Sequence, residues 1–309
     1  MKAVQISRLL ANEAKAIEYV ESLIWPEGPH CYHCGATDKL YRIKANPEKR
    51  IRHGLWKCGH CRKQFTVRMG TIFEDSKIPM GVWLWIVFHM CTAKKGISAC
   101  EIQRQTGLSY KAAWFACHRI RLAMTKEPLL TKLGTGGGIV EADETFIGGK
   151  KKNNKHRRKP GSKACEKIAV LTLVDREGEA RTFKIPDTKK GTLQGIISPN
   201  VDKSAVIMTD ENPSYVGLDD RHKAHHAVNH SETFVRAVII HTNFAESYHA
   251  LLKRSIIGTH HHLSEKHLHR YLREREFHWN RRKATDGERT VDAIQGAKGK
   301  RLIYRTPTA

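Results

Sequence analysis

At 309 residues with 40% hydrophobic content, the chain is long enough for roughly two to three packed domains, and 54 Lys and Arg against 31 Asp and Glu leave a net charge of +23. That excess suits a polyanionic partner, nucleic acid first and an anionic membrane surface second. The longest apolar stretch, Pro79–Met90, falls short of the roughly 20 residues that cross a bilayer, and the start of the chain has no apolar signal core, which excludes a membrane-spanning protein and predicts a soluble cytoplasmic one.

Residues 8–23 read as an amphipathic helix. Two CxxC pairs follow, CYHC at Cys31–Cys34 and CGHC at Cys58–Cys61, with 23 residues between them. Each pair on a tight knuckle offers two thiolates, and two knuckles complete a tetrahedral four-sulfur zinc site. LYRI and GLWK between them read as short strands, as a zinc ribbon requires. So small a segment draws its folding energy from the metal. A redox motif needs only one pair, and His33 and His60 are expected to be bystanders because four thiolates fill the shell. The other cysteines, Cys91, Cys100, Cys117 and Cys165, are scattered, which argues against a disulfide framework.

The segment Lys77–Lys94 carries Trp83, Trp85, Ile86 and Phe88 in an apolar run and reads as a core helix. In ISACEIQRQTGLSYKAAWFACHRIRLAM, Ser98 and Ser109 stand at cap positions and Gly107 supplies a turn, predicting two short helices in a helix-turn-helix. The second would present Tyr110, Lys111 and Trp114, with His118, Arg119 and Arg121 further along, to a DNA groove or backbone.

From Gly136 the pattern changes. IVEADETFIGG at Ile139–Gly149 places Glu141, Asp143 and Glu144 in a segment that otherwise looks like a buried strand. Period two puts Glu141 and Asp143 on one strand face and Glu144 on the other. The run Lys150–Lys163 has eight Lys or Arg and no acid, a solvated loop suited to phosphate contact. KIAVLTLVD is a strong strand and RTFKIP another; a helix is expected around Thr188–Ile197, then the buried strand SAVIMTD ending at Asp210. Strands alternating with helices predict a mixed α/β sheet. HTNFAESYHALLKR, His241–Arg254, is an amphipathic helix with Glu246 and Lys253 two turns apart on one face, along with Asn243 and Ala250. Asp143, Asp210 and Glu246 are then candidates for one carboxylate cluster. Gathered carboxylates repel unless a cation joins them, and hard Mg²⁺ is the natural occupant. Two such ions about 4 Å apart can activate a nucleophile and stabilise the leaving oxygen in phosphoryl transfer. The histidine-rich stretch after Gly258 predicts a helix from Ser264 to about Trp279, with Arg270, Arg273 and Arg275 facing solvent or DNA.

These blocks resemble the DDE-superfamily insertion-sequence transposases, specifically the ISXO-like group with an N-terminal zinc ribbon. WPEGPHCYHCG is similar to that group's ribbon entry, with Tyr32 where Pro is common, and QFTVRMGTIFEDSKIPM to its ribbon exit. VEADETFIGGK, TDENPSY and HTNFAESYHALLKRSIIGTHHHLSEKHLHRYLREREFHWNRR resemble its three catalytic blocks. The resemblance covers nearly the whole chain. It implies an RNase H-like catalytic domain at 131–285, preceded by a helix and ribbon at 1–76 and a helical DNA-binding region at 77–130, with a tail at 286–309. It implies DNA strand cleavage and strand transfer with structural Zn²⁺ on Cys31, Cys34, Cys58 and Cys61, and with catalytic Mg²⁺, two ions, for which Mn²⁺ can substitute. Asp143, Asp210 and Glu246 match the metal-binding triad, with Glu141 and Glu144 as rivals of Asp143 and Asn243 as the alternative third ligand, and Lys253 matches the residue that holds the DNA backbone. Lys111, Arg119, Arg121, Lys150, Lys151, Lys152, Arg157, Arg158, Lys253 and Arg254 are the expected DNA contacts. The implied partners are double-stranded DNA, as terminal inverted repeats and as target, and further copies of the chain when two ends are synapsed. A non-catalytic DNA-binding regulator and an RNase H-like nuclease without strand transfer are the competing readings.

Overall fold

The computed structural model describes residues 2–126, 131–148, 167–228 and 241–303. The basic run, and with it Lys150, Lys151, Lys152, Arg157 and Arg158, lies outside them. The chain divides into two units, Met1–Thr125 with Lys283–Ala309, and Lys126–Arg282.

The first unit is built around a helix that is apolar on all sides. Helix α3 (Met80–Thr92) buries Trp83, Leu84, Ile86, Val87, Phe88 and Met90, and a helix of that composition must be covered all round. α1 (Ala3–Leu10), α2 (Glu13–Ile24) and α5 (Tyr110–Ala123) pack on it. Pro79 at its N-cap has no side-chain donor or acceptor to offer. Glu13 of α2 takes that place, accepting from the Met80 and Gly81 amides at 2.8 and 3.1 Å, an anion at a helix N-terminus. α4 (Ala99–Thr106) and α5 are the two helices expected from the serine caps. Ser98 accepts from the Glu101 amide, Ser109 from the Ala112 amide, and Gly107 ends α4 in the left-handed region at φ 70°.

Three short antiparallel strands, β1 (Leu40–Arg42), β2 (Trp56–Cys58) and β3 (Gln64–Phe65), form the ribbon in the order β1-β2-β3. Its apolar side is small: Trp56 and Phe65 meet Trp25 edge-on at 6.3 and 6.0 Å, and the Trp56 indole donates to Glu21 at 2.9 Å.

The described part of the segment expected as a tail, residues 286–303, contributes to this unit's core. α9 (Asp286–Gln295) starts at a Thr285–Glu288 capping box, buries Ala293 and Ile294, and packs on α2, α3 and α5. Arg289 donates to the Cys91 carbonyl at 3.1 Å. The ribbon, the helices and the C-terminal helix thus belong to one unit, in which α1, α2, α5 and α9 close the apolar circumference of α3.

The second unit is a five-stranded sheet with helices on both faces. Strands β4 (Ile139–Ile147), β5 (Ile168–Asp175) and β6 (Ala180–Ile185) are antiparallel; β7 (Val206–Asp210) and β8 (Ala224–Val228) run parallel to β4. The order β6-β5-β4-β7-β8, with β4 at the centre, is an RNase H-like fold. On one face α6 (Lys190–Asn200) covers Val140, Ala142, Leu171, Leu173 and Ile207. On the other, α7 (Asn243–Ser255) and α8 (Leu268–Asn280) cover Ile147, Val170 and Val174. Burial on both faces explains why β5 reads as a continuous apolar run. α8 begins one turn later than expected, after a 3₁₀ turn at Glu265–His267. Among the described residues, no helix is long and apolar enough to cross a membrane.

Candidate metal centres

The ribbon brings its four cysteines to one point. The Cys31 and Cys61 sulfurs are 3.6 Å apart, those of Cys34 and Cys58 3.7 Å, and all four lie within 4.8 Å of one another. A disulfide needs about 2 Å. Sulfurs at the corners of a zinc tetrahedron with bonds of about 2.3 Å stand about 3.8 Å apart, so the donor set and its spacing fit structural Zn²⁺. The knuckle backbone favours the thiolate. Burial opposes ionisation of Cys31, but the Cys34 and His33 amides and the neighbouring thiols bring it down to about 7. The Cys61 and His60 amides lower Cys58 in the same way. His33 and His60 turn to other partners, the Gln64 carbonyl at 3.2 Å and Asp38 at 2.9 Å.

The second centre is set by strand register. β4 pairs with β7 as Ile139–Val206, Val140–Ile207 and Glu141–Met208. The same offset carried two residues further puts Asp143 beside Asp210, the last residue of β7. Glu144 joins them, and carboxylate oxygens of Asp143, Glu144 and Asp210 all lie within 4.8 Å of one another. Burial, reinforced by the charges of Asp210 and Asp143, pushes Glu144 up to about 7, partly offset by the neighbouring Tyr215 hydroxyl. Asn212 donates to Glu144 at 3.3 Å. Burial and the same carboxylates hold the Tyr215 hydroxyl firmly in its protonated form. An all-oxygen, mutually repelling donor set of this kind fits a hard divalent cation.

Glu141, which shares a strand face with Asp143, does something else. It is fully buried and accepts from Arg176 Nε at 2.7 Å, from the Phe244 and Ala245 amides at 2.8 and 3.0 Å, and stands 3.3 Å from His241 Nδ1. The amides are those of the first turn of α7, whose own Thr242 provides no side-chain cap. Glu141 therefore caps α7 from the sheet and fixes the helix against β4.

Of the other expected site residues, Asn243 opens α7, Glu246 sits in its first turn and Lys253 and Arg254 in its last, all four exposed. Glu246 stands outside the three-carboxylate group. His249 of α7, one turn beyond Glu246, touches the group, with Nδ1 3.1 Å from Asp143 Oδ2. Sequence reading passed over His249, although it is three residues from Glu246 on a helix already read as amphipathic. It also passed over Arg176, for which a turn such as REGEA carries no signal, and over Tyr215, five residues after Asp210.

On α5, Lys111 and Tyr110 are exposed, but Arg119 and Arg121 are only 8% and 2% exposed, against the expectation that they reach DNA. Arg119 donates to the Ile72 and Glu74 carbonyls at 2.9 and 2.7 Å, so it holds the ribbon exit instead. The C-terminal half of α5 faces the core and takes these arginines with it. Arg275, expected to face solvent or DNA, is likewise buried.

The RNase H-like sheet with acids on its two central strands, together with a cysteine-clasped ribbon, defines a DDE-type acid domain accompanied by a zinc-ribbon module. Residues 136–280 match the family model of the ISXO2-like transposase domain, and residues 11–64 that of the transposase zinc-ribbon domain; the two stretches together span well over half of the chain. An uncharacterized protein in transposable element ISH50 of Halobacterium salinarum is 24% identical over 286 residues, 86% of this chain and 90% of the relative. The crystal structure of a pre-cleavage Mos1 transpososome aligns over 67% of this chain and 75% of its own at 16% identity, with a TM-score of 0.26. The chain belongs to the ISXO2-like DDE transposases with an N-terminal zinc ribbon.

Proposed function

We propose that the protein is an active transposase that cleaves DNA at the ends of its element and joins the freed ends to target DNA. The observation that carries this reading is the Asp143–Glu144–Asp210 cluster, assembled by two parallel central strands that rigidly fix its geometry. Asp143 and Asp210 would hold Mg²⁺, with Mn²⁺ as a substitute, and Glu246 of α7 would complete the set, leaving Asn243 in support. A pair of bound ions supplies activation of the attacking oxygen and stabilisation of the leaving oxygen in each phosphoryl transfer. The chain's own residues bind and orient the DNA. Lys253, two turns from Glu246, holds the phosphate backbone beside the acids, with Arg254 next to it. Lys111, Lys150, Lys151, Lys152, Arg157 and Arg158 neutralise further phosphates. In the first step the oxygen of water bonds to the phosphorus at the element end as the bond to the 3′-oxygen breaks; the water gives up a proton and the leaving 3′-oxygen takes one, so a 5′-phosphate and a free 3′-hydroxyl result. In the second, that 3′-oxygen attacks a target phosphodiester, and one new bond replaces one broken bond. The ribbon and helix-turn-helix recognise the terminal inverted repeats, and synapsis of two ends calls for more than one copy of the chain.

The test is strand transfer of labelled, pre-cut element ends into a plasmid with Mg²⁺ or Mn²⁺, alongside melting curves. Asp143→Asn, Asp210→Asn and Glu246→Gln are expected to fold and bind DNA but neither cleave nor join, because an amide holds Mg²⁺ poorly. Asn243→Ala should retain residual activity. A Glu246→Gln protein that joins normally beside a dead Asn243→Ala protein would move the third ligand to Asn243. Cleavage without joining would make the protein a nuclease, and metal-independent DNA binding with no cleavage would make it a regulator.

A further inference from the structure

Three groups meet behind the carboxylate cluster. Asp143 on β4 lies directly opposite Thr172 on β5 in the antiparallel register. His249 of α7 spans the two, its Nδ1 3.1 Å from Asp143 Oδ2 and its Nε2 2.9 Å from the Thr172 hydroxyl. Thr172 is fully buried and the His249 side chain is 6% exposed, so the ring is closed to solvent. A carboxylate can only accept, which makes Nδ1 the donor to Asp143; in the tautomer with its one proton there, Nε2 is left to accept the Thr172 hydroxyl proton. The threonine selects the tautomer, and the tautomer aims a hydrogen at one oxygen of Asp143. The other oxygen is left to turn toward Asp210.

We infer that His249, oriented by Thr172, is a positioning residue that sets the rotamer of Asp143 for divalent-metal binding and ties α7 to the metal-bearing strand. The inference rests on Asp143 being a metal ligand. Its place in the fold explains why a polar pair stands in an otherwise apolar contact: the neighbours on these faces of α7 and β5 are Ala245, Tyr248, Leu252, Val170 and Val174. An aliphatic pair would pack there at no desolvation cost, whereas His249 and Thr172 satisfy one another and a carboxylate at once. Glu141 grips the first turn of α7 and His249 the next, so Glu246 sits between two attachments to the same strand.

The two ring nitrogens have different amide mimics, and that makes the inference testable without DNA. His249→Asn keeps a donor near the Nδ1 position and loses the Thr172 bond. His249→Gln keeps a polar group near the Nε2 position and loses the Asp143 bond, although it fills more of the histidine's volume. Mn²⁺ binding to the full-length, zinc-loaded protein is followed by electron paramagnetic resonance, with melting curves for each variant. His249→Gln and His249→Ala are expected to weaken Mn²⁺ binding by about 10- to 100-fold, the range typical of groups that orient a metal ligand, and Thr172→Val by a few-fold. His249→Asn should stay within about threefold of the parent. If Gln is tolerated as well as Asn, or the variants rank by side-chain volume, His249 only fills space and the inference falls. If Asp143→Asn binds Mn²⁺ as tightly as the parent, the metal assignment of Asp143 itself is wrong, a separate and recognisable result.

Discussion

Replacing Glu141 with glutamine isolates the link between the central strand and α7. The carboxylate accepts from three donors in the folded chain, Arg176 at 2.7 Å and two α7 amides at 2.8 and 3.0 Å, and lies 3.3 Å from His241 Nδ1. Glutamine keeps one carbonyl, which can serve one or two of these donors. Its amide nitrogen then confronts the guanidinium or a helix N–H, donor against donor. Arg176, whose side chain is 13% exposed, is left without its counter-charge. Removing one member of a buried ion pair costs about 3–5 kcal/mol, and the retained carbonyl brings the expected loss to about 2–4 kcal/mol. For a unit of this size each kcal/mol lowers the melting midpoint by about 2–4 °C, so a drop of roughly 5–15 °C is expected. The assay is thermal unfolding followed by near-ultraviolet circular dichroism, with Mn²⁺ binding measured well below the transition. Mn²⁺ binding should survive, since Glu141 is outside the cluster, in contrast to Asp143→Asn. Adding Arg176→Met to Glu141→Gln should recover part of the loss, because both charges are then gone. A Glu141→Gln protein that melts within about 1 °C of the parent would refute the capping role, and one that folds normally yet cannot bind Mn²⁺ would place Glu141 among the ligands.

Glu144 predicts a pH dependence with a definite sign. In the folded chain it keeps its proton up to about 7, against the usual 4.5, so below pH 4.5 it costs nothing. As pH rises from there through 7 the unfolded chain gains more from ionisation, and metal-free stability falls. The loss should be on the order of 1 kcal/mol once partial exposure is allowed for, should vanish in Glu144→Gln, and should be reversed by Mn²⁺ above pH 7, all read from melts with chelator or metal. Purified protein should carry about one zinc per chain, and Cys58→Ser should lose it and melt the ribbon while Mn²⁺ binding persists in the other unit. Arg119→Ala should destabilise the first unit by about 2–4 kcal/mol, since the buried Ile72 carbonyl and the half-buried Glu74 carbonyl lose their donor, yet leave the salt slope of DNA binding unchanged. Neutralising Lys150, Lys151, Lys152, Arg157 and Arg158 together should flatten that slope by about 0.9 for each DNA phosphate the protein no longer neutralises.

Features whose cause is local were legible in the residues themselves. Two CxxC pairs specify a four-thiolate ribbon because each knuckle sets its own pair of sulfurs. Ser98, Gly107 and Ser109 delimit two helices because a cap acts within one turn. Alternation along β4 separates Glu141 and Asp143 from Glu144 because side chains of a strand change face at every residue. The tertiary structure decided everything that depends on pairing across the chain. Register between β4 and β7 sets Asp143 beside Asp210 and draws in Glu144 from the far face, while α7 offers His249 to that cluster before Glu246. The same basic composition that marks a polyanion binder also contains Arg119, Arg121 and Arg275, which packing turns inward, and the last helix, which α3 claims for its core. A charge or an acid in sequence carries no record of which distant backbone will surround it. Burial and strand register are properties of the assembled sheet and core, and they alone determine whether a carboxylate becomes a ligand, as proposed for Asp143, or a helix cap, as observed for Glu141.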